Sequence, residues 1–346
     1  MIDQDAISAV LQAGAHRREE RRRFLRIAGG AAAMAGGMTL LSSCGDDDDG
    51  PAITLQPTPT GTPSPTAAAP PSEADVFNFA LQLEYLESNF YLFATSGQGL
   101  PANLRTGTGT QGDAVGGRQA NFTDPVVRQY ARELAEDELL HVQFIRRTLG
   151  SAVAAQPAIN IGGDANGAFT AAARSAGVVG ATGVFDPYAT DENFLLAAFL
   201  LAEVGVNAYM GGVQFLNTPA FIEAAAGIHA VEGYHSGLIR TALVTKGIQT
   251  PALNVFQNAQ RISDARDTLD GTANTGLLNQ GGDRDQGLGT PDNLNLVNAD
   301  ANAIAFVRSP SQVLNIAYLA AGPNIAGGGF FPNGVNGNIR STTATG

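Results

Sequence analysis

Cysteine is nearly absent from this chain of 346 residues, tryptophan is missing, and histidine occurs four times. The single thiol, Cys44, excludes intrachain disulfides, Cys-x-x-Cys redox pairs and cysteine-ligated zinc or iron–sulfur centres. Positive charge is also scarce: 20 Lys and Arg face 32 Asp and Glu, a formal net charge of −12. Such a balance argues against nucleic acid as a partner, because phosphate neutralisation needs a basic surface.

The N-terminal region reads as an address rather than as part of the fold. "RRRFLR" (Arg21 to Arg26) precedes the Gly-rich apolar stretch "IAGGAAAMAGGMTLL", which ends at "LSSC". A basic segment, a short apolar run and small residues are the parts of a signal peptide. Arg-Arg-x-Phe-Leu resembles a twin-arginine export signal, and "LSSC" resembles a lipoprotein cleavage site with Cys44 as the lipidated residue. Residues 1–44 are therefore expected to be a twin-arginine-type lipoprotein signal. The mature protein would sit in a bacterial cell envelope, periplasmic or on the outer surface, anchored to the membrane through Cys44. The acidic, Pro/Thr-rich segment that follows, residues 45–72, cannot bury apolar surface and reads as a solvated tether.

Four segments then show helical periodicity with recognisable ends. The first, "SEADVFNFALQLEYLESNFYLFA", has Ser72 or Asp75 as its cap. The second opens at Asp124-Pro125 and stops at Gly150; the third begins near Thr190 and ends at Gly211-Gly212; the fourth opens at Thr218-Pro219 and stops at Gly247. An N-cap followed by Pro, and Gly past the end, are standard helix punctuation. Helices of this length suit a bundle. A short link makes the third and fourth antiparallel neighbours, whereas the second and third are separated by enough chain to cross the bundle. That crossover contains one candidate short helix, "GAFTAAARSAG". Residues 73–247 are thus expected to form the bundle, and 248–346 an extension packed on it. The extension is rich in Asn, Gly and Asp, with one further helix after "RSPS". Within it "DRDQG" opens like a calcium loop but lacks the downstream bidentate Glu.

The chemistry lies in the helices. Val127, Tyr130, Leu134, Glu138, His141 and Ile145 fall on one stripe of the second helix. Phe221, Ala225, Ile228, Glu232, His235 and Ile239 do the same on the fourth. Each stripe ought to be buried, and each carries Glu-x-x-His at its middle. The first helix adds Glu84 between Phe77, Ala80 and Tyr91; the third adds Glu203 among Leu196, Phe199, Val206 and Met210. Two of the three histidines beyond the leader having Glu three residues earlier is a coincidence of roughly a few in a thousand. Four carboxylates facing one core would each cost several kcal/mol to bury unpaired. They persist by protonation or by binding cations. Two divalent metals answer the charge problem, and oxygen/nitrogen ligation without thiolate favours iron or manganese over zinc.

This pattern resembles the ferritin-like superfamily, whose bundles supply Glu, Glu-x-x-His, Glu and Glu-x-x-His in that order. "LEYLESNFY", "TPAFIEAAAGIHAVEGYH" and "RSPSQVLNIAY" with "GGGFFPNGVNG" carry a narrower likeness to bacterial ferritin-like-domain proteins related to plant desiccation-related proteins. The likeness covers about residues 73–340. It implies an all-α, ferritin-like four-helix bundle, with a long crossover between helices two and three and a partly irregular C-terminal extension. It implies two metal ions held by Glu84, Glu138, His141, Glu203, Glu232 and His235. The spacing from Glu84 to Tyr91 matches the superfamily's helix-one Glu and site tyrosine, which favours Glu84 over Glu87. Tyr91 is either an electron relay or a core tyrosine. His229 reads as a core histidine, and Glu136 and Asp137 as a solvated face. The long link between helices one and two and the large extension depart from the pattern and argue against a closed cage, though not against a smaller oligomer. Two functions follow: an oxidoreductase or ferroxidase consuming O2 or a peroxide, or a non-enzymatic envelope protein for stress or desiccation protection.

Overall fold

The computed structural model describes residues 70–273 and 280–343. The expected signal, Cys44 and nearly all of the expected tether lie outside these residues.

Four long helices form the bundle: α1 (Glu73–Ser96), α2 (Pro125–Leu149), α4 (Asp191–Gly212) and α5 (Pro219–Gln249). The short α3 (Ala168–Ser175) lies in the crossover, where the sequence places it. α1 packs on α2 and α4 on α5, and the two pairs meet through α1–α4 and α2–α5. The helix starts are fixed by side chains. Ser72 and Asp75 form a reciprocal capping box on α1; Asp124 and Thr190 cap α2 and α4. Thr218 makes no such bond to α5. Instead the Glu73 carboxylate accepts the N–H groups of Asn217 (2.6 Å) and Thr218 (2.7 Å), so α1 caps α5 from across the bundle. α4 is apolar on every side and buried along almost its whole length. It is long and apolar enough to cross a membrane by composition, but here it is the helix that the others surround.

The link between α1 and α2 runs beside the crossover. β1 (Ala114–Val115) pairs in parallel with β2 (Ile159–Asn160). Beyond α5 the chain forms a helix that the apolar pattern does not announce, α6 (Val255–Asp270). Its buried face includes Val255, Ala259 and Ile262, but also Ser263, Arg266 and Asp270, so charge interrupts the apolar period. A hairpin of β3 (Gly289–Thr290) and β4 (Asn293–Leu294) follows, then α7 (Pro310–Ala317). α6 packs on α4, α5 and α7, and α7 packs on α4. Gly211 is required at this seam: a Cβ there would lie 1.9 Å from the carbonyl oxygen of Arg308. The last stretch returns over α1, where Asn336 donates its N–H to Gln82 and Asn338 bonds Asp75. "DRDQG" is no calcium loop, because Asp285 is held by the guanidinium groups of Arg266 and Arg308.

Candidate metal centre

α1, α2 and α5 each turn acidic residues inward at the middle of the bundle. Glu84, Glu138, His141 and Glu232 are all buried, and each offers one ligand atom within 4.8 Å of the others. The histidines point their Nδ1 atoms at the carboxylates. His141 Nδ1 lies 3.3 Å from Glu84 Oε2, 3.8 Å from Glu138 Oε2 and 3.4 Å from Glu232 Oε1. His235 Nδ1 lies 3.1 Å from Glu138 Oε1 and 4.0 Å from Glu232 Oε2. Glu138 and Glu232 therefore each present one oxygen to each imidazole. The two rings are 6.1 Å apart between centroids.

Close as they are, these atoms do not satisfy one another. Both oxygens of Glu138 and of Glu232, Glu84 Oε2 and both Nδ1 atoms are buried without an aligned hydrogen bond. Buried polar atoms of a folded protein are normally paired. Acceptors and imidazole nitrogens that converge without donors fit a divalent cation, and the oxygen/nitrogen donor set suits a transition metal.

The outer contacts fit the same purpose. Asp137 Oδ2 lies 3.2 Å from His235 Nε2, which sets the proton on that nitrogen and leaves Nδ1 free to ligate. Asp137 is thus half-buried against His235 rather than lying on a fully solvated face. Tyr209, on α4, donates its hydroxyl to Glu84 Oε1 at 2.5 Å. Sequence reasoning passed over it because a tyrosine in an apolar helix reads as core. The available signal was spacing: Gly205 and Tyr209 are one turn apart and mark the face of α4 that meets the cluster.

Glu203 is not brought there. Its Oε1 accepts from Arg240 Nη1 and Ser236 Oγ, both at 2.8 Å, because a fully buried guanidinium requires a carboxylate. Glu87 faces the cluster instead, and its Oε1 has no hydrogen-bond partner. Tyr91 is buried beside the carboxylates with its hydroxyl also unpartnered. His229 is half-buried and bonds the backbone carbonyl of Val206 through Nδ1, as a core histidine would.

Without metal the cluster holds protons. Burial, then the charges of Glu138, Glu232 and Glu84, push Glu87 well above the usual carboxylate range. Burial, then Glu232 and Glu84, push Glu138 to about 8. Burial opposes a charged His235, but the carboxylates of Asp137 and Glu138, 3.2 Å from Nε2 and 3.1 Å from Nδ1, raise it to about 10. His141 rises against the same burial penalty, chiefly through Glu84. Burial would raise Glu84, but the charge of His141 helps hold it below its ordinary value. A metal entering here must displace protons.

The sequence model of the Ferritin-like domain family matches residues 72–245, and the chain belongs to that family. Two characterised relatives are similar over most of their length. One is the desiccation-related protein PCC13-62 of Craterostigma plantagineum, 28% identical over 260 residues, covering 73% of this chain and 79% of the relative. The other is the ferritin-like catalase Nec2 of Nesocodon mauritianus, 26% identical over 273 residues, covering 78% and 85%. No solved structure matches the chain significantly.

Proposed function

We propose that the cluster holds two redox-active divalent metals, iron or manganese, and that the protein disproportionates hydrogen peroxide. One observation carries the two-metal reading: Glu138 and Glu232 each direct one oxygen to His141 and the other to His235. That is the disposition of two bridging carboxylates between two positions, each with its own imidazole. The peroxide reading is supported by the similarity to a ferritin-like catalase. It also balances without an outside electron donor: one peroxide is reduced to two waters, and a second is oxidised to O2, supplying the two electrons and two protons. When bound, the metal pair supplies the capacity to exchange two electrons with peroxide. The chain's own residues do the rest. Glu84, Glu138, Glu232, His141 and His235 would hold the ions. Asp137 and Tyr209 orient His235 and Glu84. Tyr91, kept protonated by burial and by Glu87, Glu138 and Glu232, can donate a hydrogen bond toward the centre. The Arg-Arg-x-Phe-Leu leader and Cys44 support export and a lipid anchor in the envelope, where the enzyme would meet external peroxide.

The similarity to a desiccation-related protein favours a second reading, in which the metals only brace the bundle and the protein protects without turnover. One experiment separates them. The full chain is loaded with Mn(II) or Fe(II), its metal content is measured, and H2O2 is added at an oxygen electrode. The catalase reading expects two metals per chain and one O2 for every two peroxides. Two metals with no O2 release would favour the protective reading. O2 uptake with Fe(II) alone would make it a ferroxidase, and failure to bind metal would sink the di-metal centre.

A further inference from the structure

Among the described residues α4 places no carboxylate at the cluster; it meets the cluster through the Tyr209 hydroxyl and, one turn earlier, through a glycine. A Cβ added to Gly205 would lie 2.7 Å from Glu232 Oε2 and 3.4 Å from Glu87 Oε2. Glu232 Oε2 is the oxygen on the His235 side of the centre, at 4.0 Å from His235 Nδ1. Glu87 and Glu232 therefore meet over one bare patch of α4, while Glu84 Oε2 and His141 Nδ1 lie together at 3.3 Å. Any larger residue at 205 would push the two carboxylates apart.

Among the described residues no arginine or lysine pairs with Glu87, and the charge of His141 offsets only part of its burial. With Gly205, Glu87 borders a cavity of about 20 Å³, whose walls include Leu83, Leu86, Leu201 and Val204 and carry no other charged residue. An ionised carboxylate buried in this way costs several kcal/mol unless a cation faces it. Glu203 differs on this point, since Arg240 already neutralises it.

We infer that Glu87 completes the ligand set of the metal pair, and that Glu203, which the sequence pattern nominates, is not a ligand. α1 would then supply two carboxylates one turn apart, Glu84 beside His141 and Glu87 over Gly205. α4 contributes room, through Gly205, in place of a ligand. This inference rests on the two-metal reading above.

Metal stoichiometry tests it. The full chain is stripped with chelator, reloaded with Mn(II), and freed of unbound ion. Mn per chain and the low-temperature EPR spectrum are then recorded. Wild type should hold two ions with the spectrum of a coupled pair. Glu87→Gln should hold one, with the six-line spectrum of an isolated Mn(II), and should melt with wild type when both are metal-free. Gly205→Ala should likewise fall toward one, whereas Glu203→Gln should keep two. Two ions in wild type and two in Glu87→Gln would overturn the inference while leaving the di-metal centre intact. So would one ion in a folded Glu203→Gln. Fewer than two ions in wild type would bring down the two-metal reading and this inference with it. Should Glu203→Gln fail to fold with Arg240 unpaired, the Glu87 arm decides alone.

Discussion

The protein buries charge in two places and treats the two oppositely. In the bundle, Glu84, Glu87, Glu138 and Glu232 share a centre with two imidazoles and, among the described residues, no guanidinium or ammonium group. In the extension, Asp267, Asp270 and Asp285 meet Arg266, Arg284 and Arg308, one cation for each acid. There the pairing is close: Arg266 Nε to Asp285 at 2.7 Å, Arg308 Nε to Asp270 at 2.6 Å, and Arg308 Nη2 to Asp285 at 2.7 Å. The Nη1 donors of Arg266 and Arg308 tie the extension to α4 through the carbonyls of Phe199 and Leu200 and the side chain of Asn207, while Arg284 bonds carbonyls within the extension. A buried ion network is tolerated when each charge is paired and each donor satisfied. The chain plainly can bury arginine, and Arg240 stands close to His235 in α5, but it is committed to Glu203. The missing cations of the bundle cluster are therefore a property of that site, which a bound metal would complete.

The most forceful way to break this comparison is to remove a cation from the balanced network. Arg308→Ala leaves Asp270 and Asp285 buried with part of their compensation gone, and should cost about 3–5 kcal/mol in urea unfolding. The folded fraction should still bind its full metal complement. Removing a carboxylate from the unbalanced cluster should do the reverse. Glu138→Gln should abolish metal binding and peroxide turnover, yet leave the metal-free protein about as stable as wild type, because burial and its acidic neighbours raise Glu138 to about 8 and Gln stands in for the protonated carboxyl. A large loss of metal-free stability in Glu138→Gln would mean that the two clusters differ less than their charges indicate.

Much of this was legible before the structure. The helix starts came from Ser72, Asp124 and Thr190, whose caps act locally, and from Thr218-Pro219, where the proline marks the first turn although Glu73 supplies the capping carboxylate. Glu84, Glu138, His141, Glu232 and His235 came from period 3.6, which fixes the face of a helix. Periodicity could not say which inward residue meets which neighbour. Glu203 and Gly205 are two residues apart, about 200° around the helix, so only one of them can face the cluster. Which one depends on Arg240, a residue 37 positions away whose burial no local rule foresees. Asp137 failed for the same reason, its partner His235 being 98 positions distant. α6 escaped because its buried face holds half of the ion network, and a buried charge looks like solvent exposure in one dimension.

A subtler test asks whether α4, having no carboxylate in the cluster, still shapes it. Tyr209→Phe deletes one hydroxyl and with it the bond to Glu84 Oε1, while the ring stays packed. If that bond orients Glu84, Mn(II) affinity in a chelator competition should fall about 10- to 100-fold, as removal of an outer-shell partner generally does. Metal-free stability should change little. Unchanged affinity would mean that Glu84 is positioned by α1 and His141 alone.

The smallest effect probes the edge of the balanced network. Asp267 is 22% exposed; burial first, then the charge of Asp285, raises its pKa to about 7, against pulls from the Arg284 N–H and from Arg308. The folded protein then holds a proton on Asp267 between about pH 4 and pH 7 that the unfolded chain has released. Its contribution to stability is fully present below the unfolded value of 3.8 and is lost as pH rises through about 7. Asp285, at the network's centre, behaves oppositely. Burial would raise it, but Arg266 and Arg308 hold it below its ordinary value, so its contribution is lost as pH falls. Asp267→Asn mimics the protonated form and keeps an oxygen for the Arg284 N–H. Relative to wild type it should be neutral near pH 4 and more stable by about 1 kcal/mol near pH 8, a figure discounted for solvent at this edge. Urea unfolding of metal-free wild type and variant across that range, read as a difference so that the bundle cluster cancels, measures it. A difference that does not change with pH would show that Asp267 is already ionised among the arginines, and that the extension's charges balance at neutral pH without a proton.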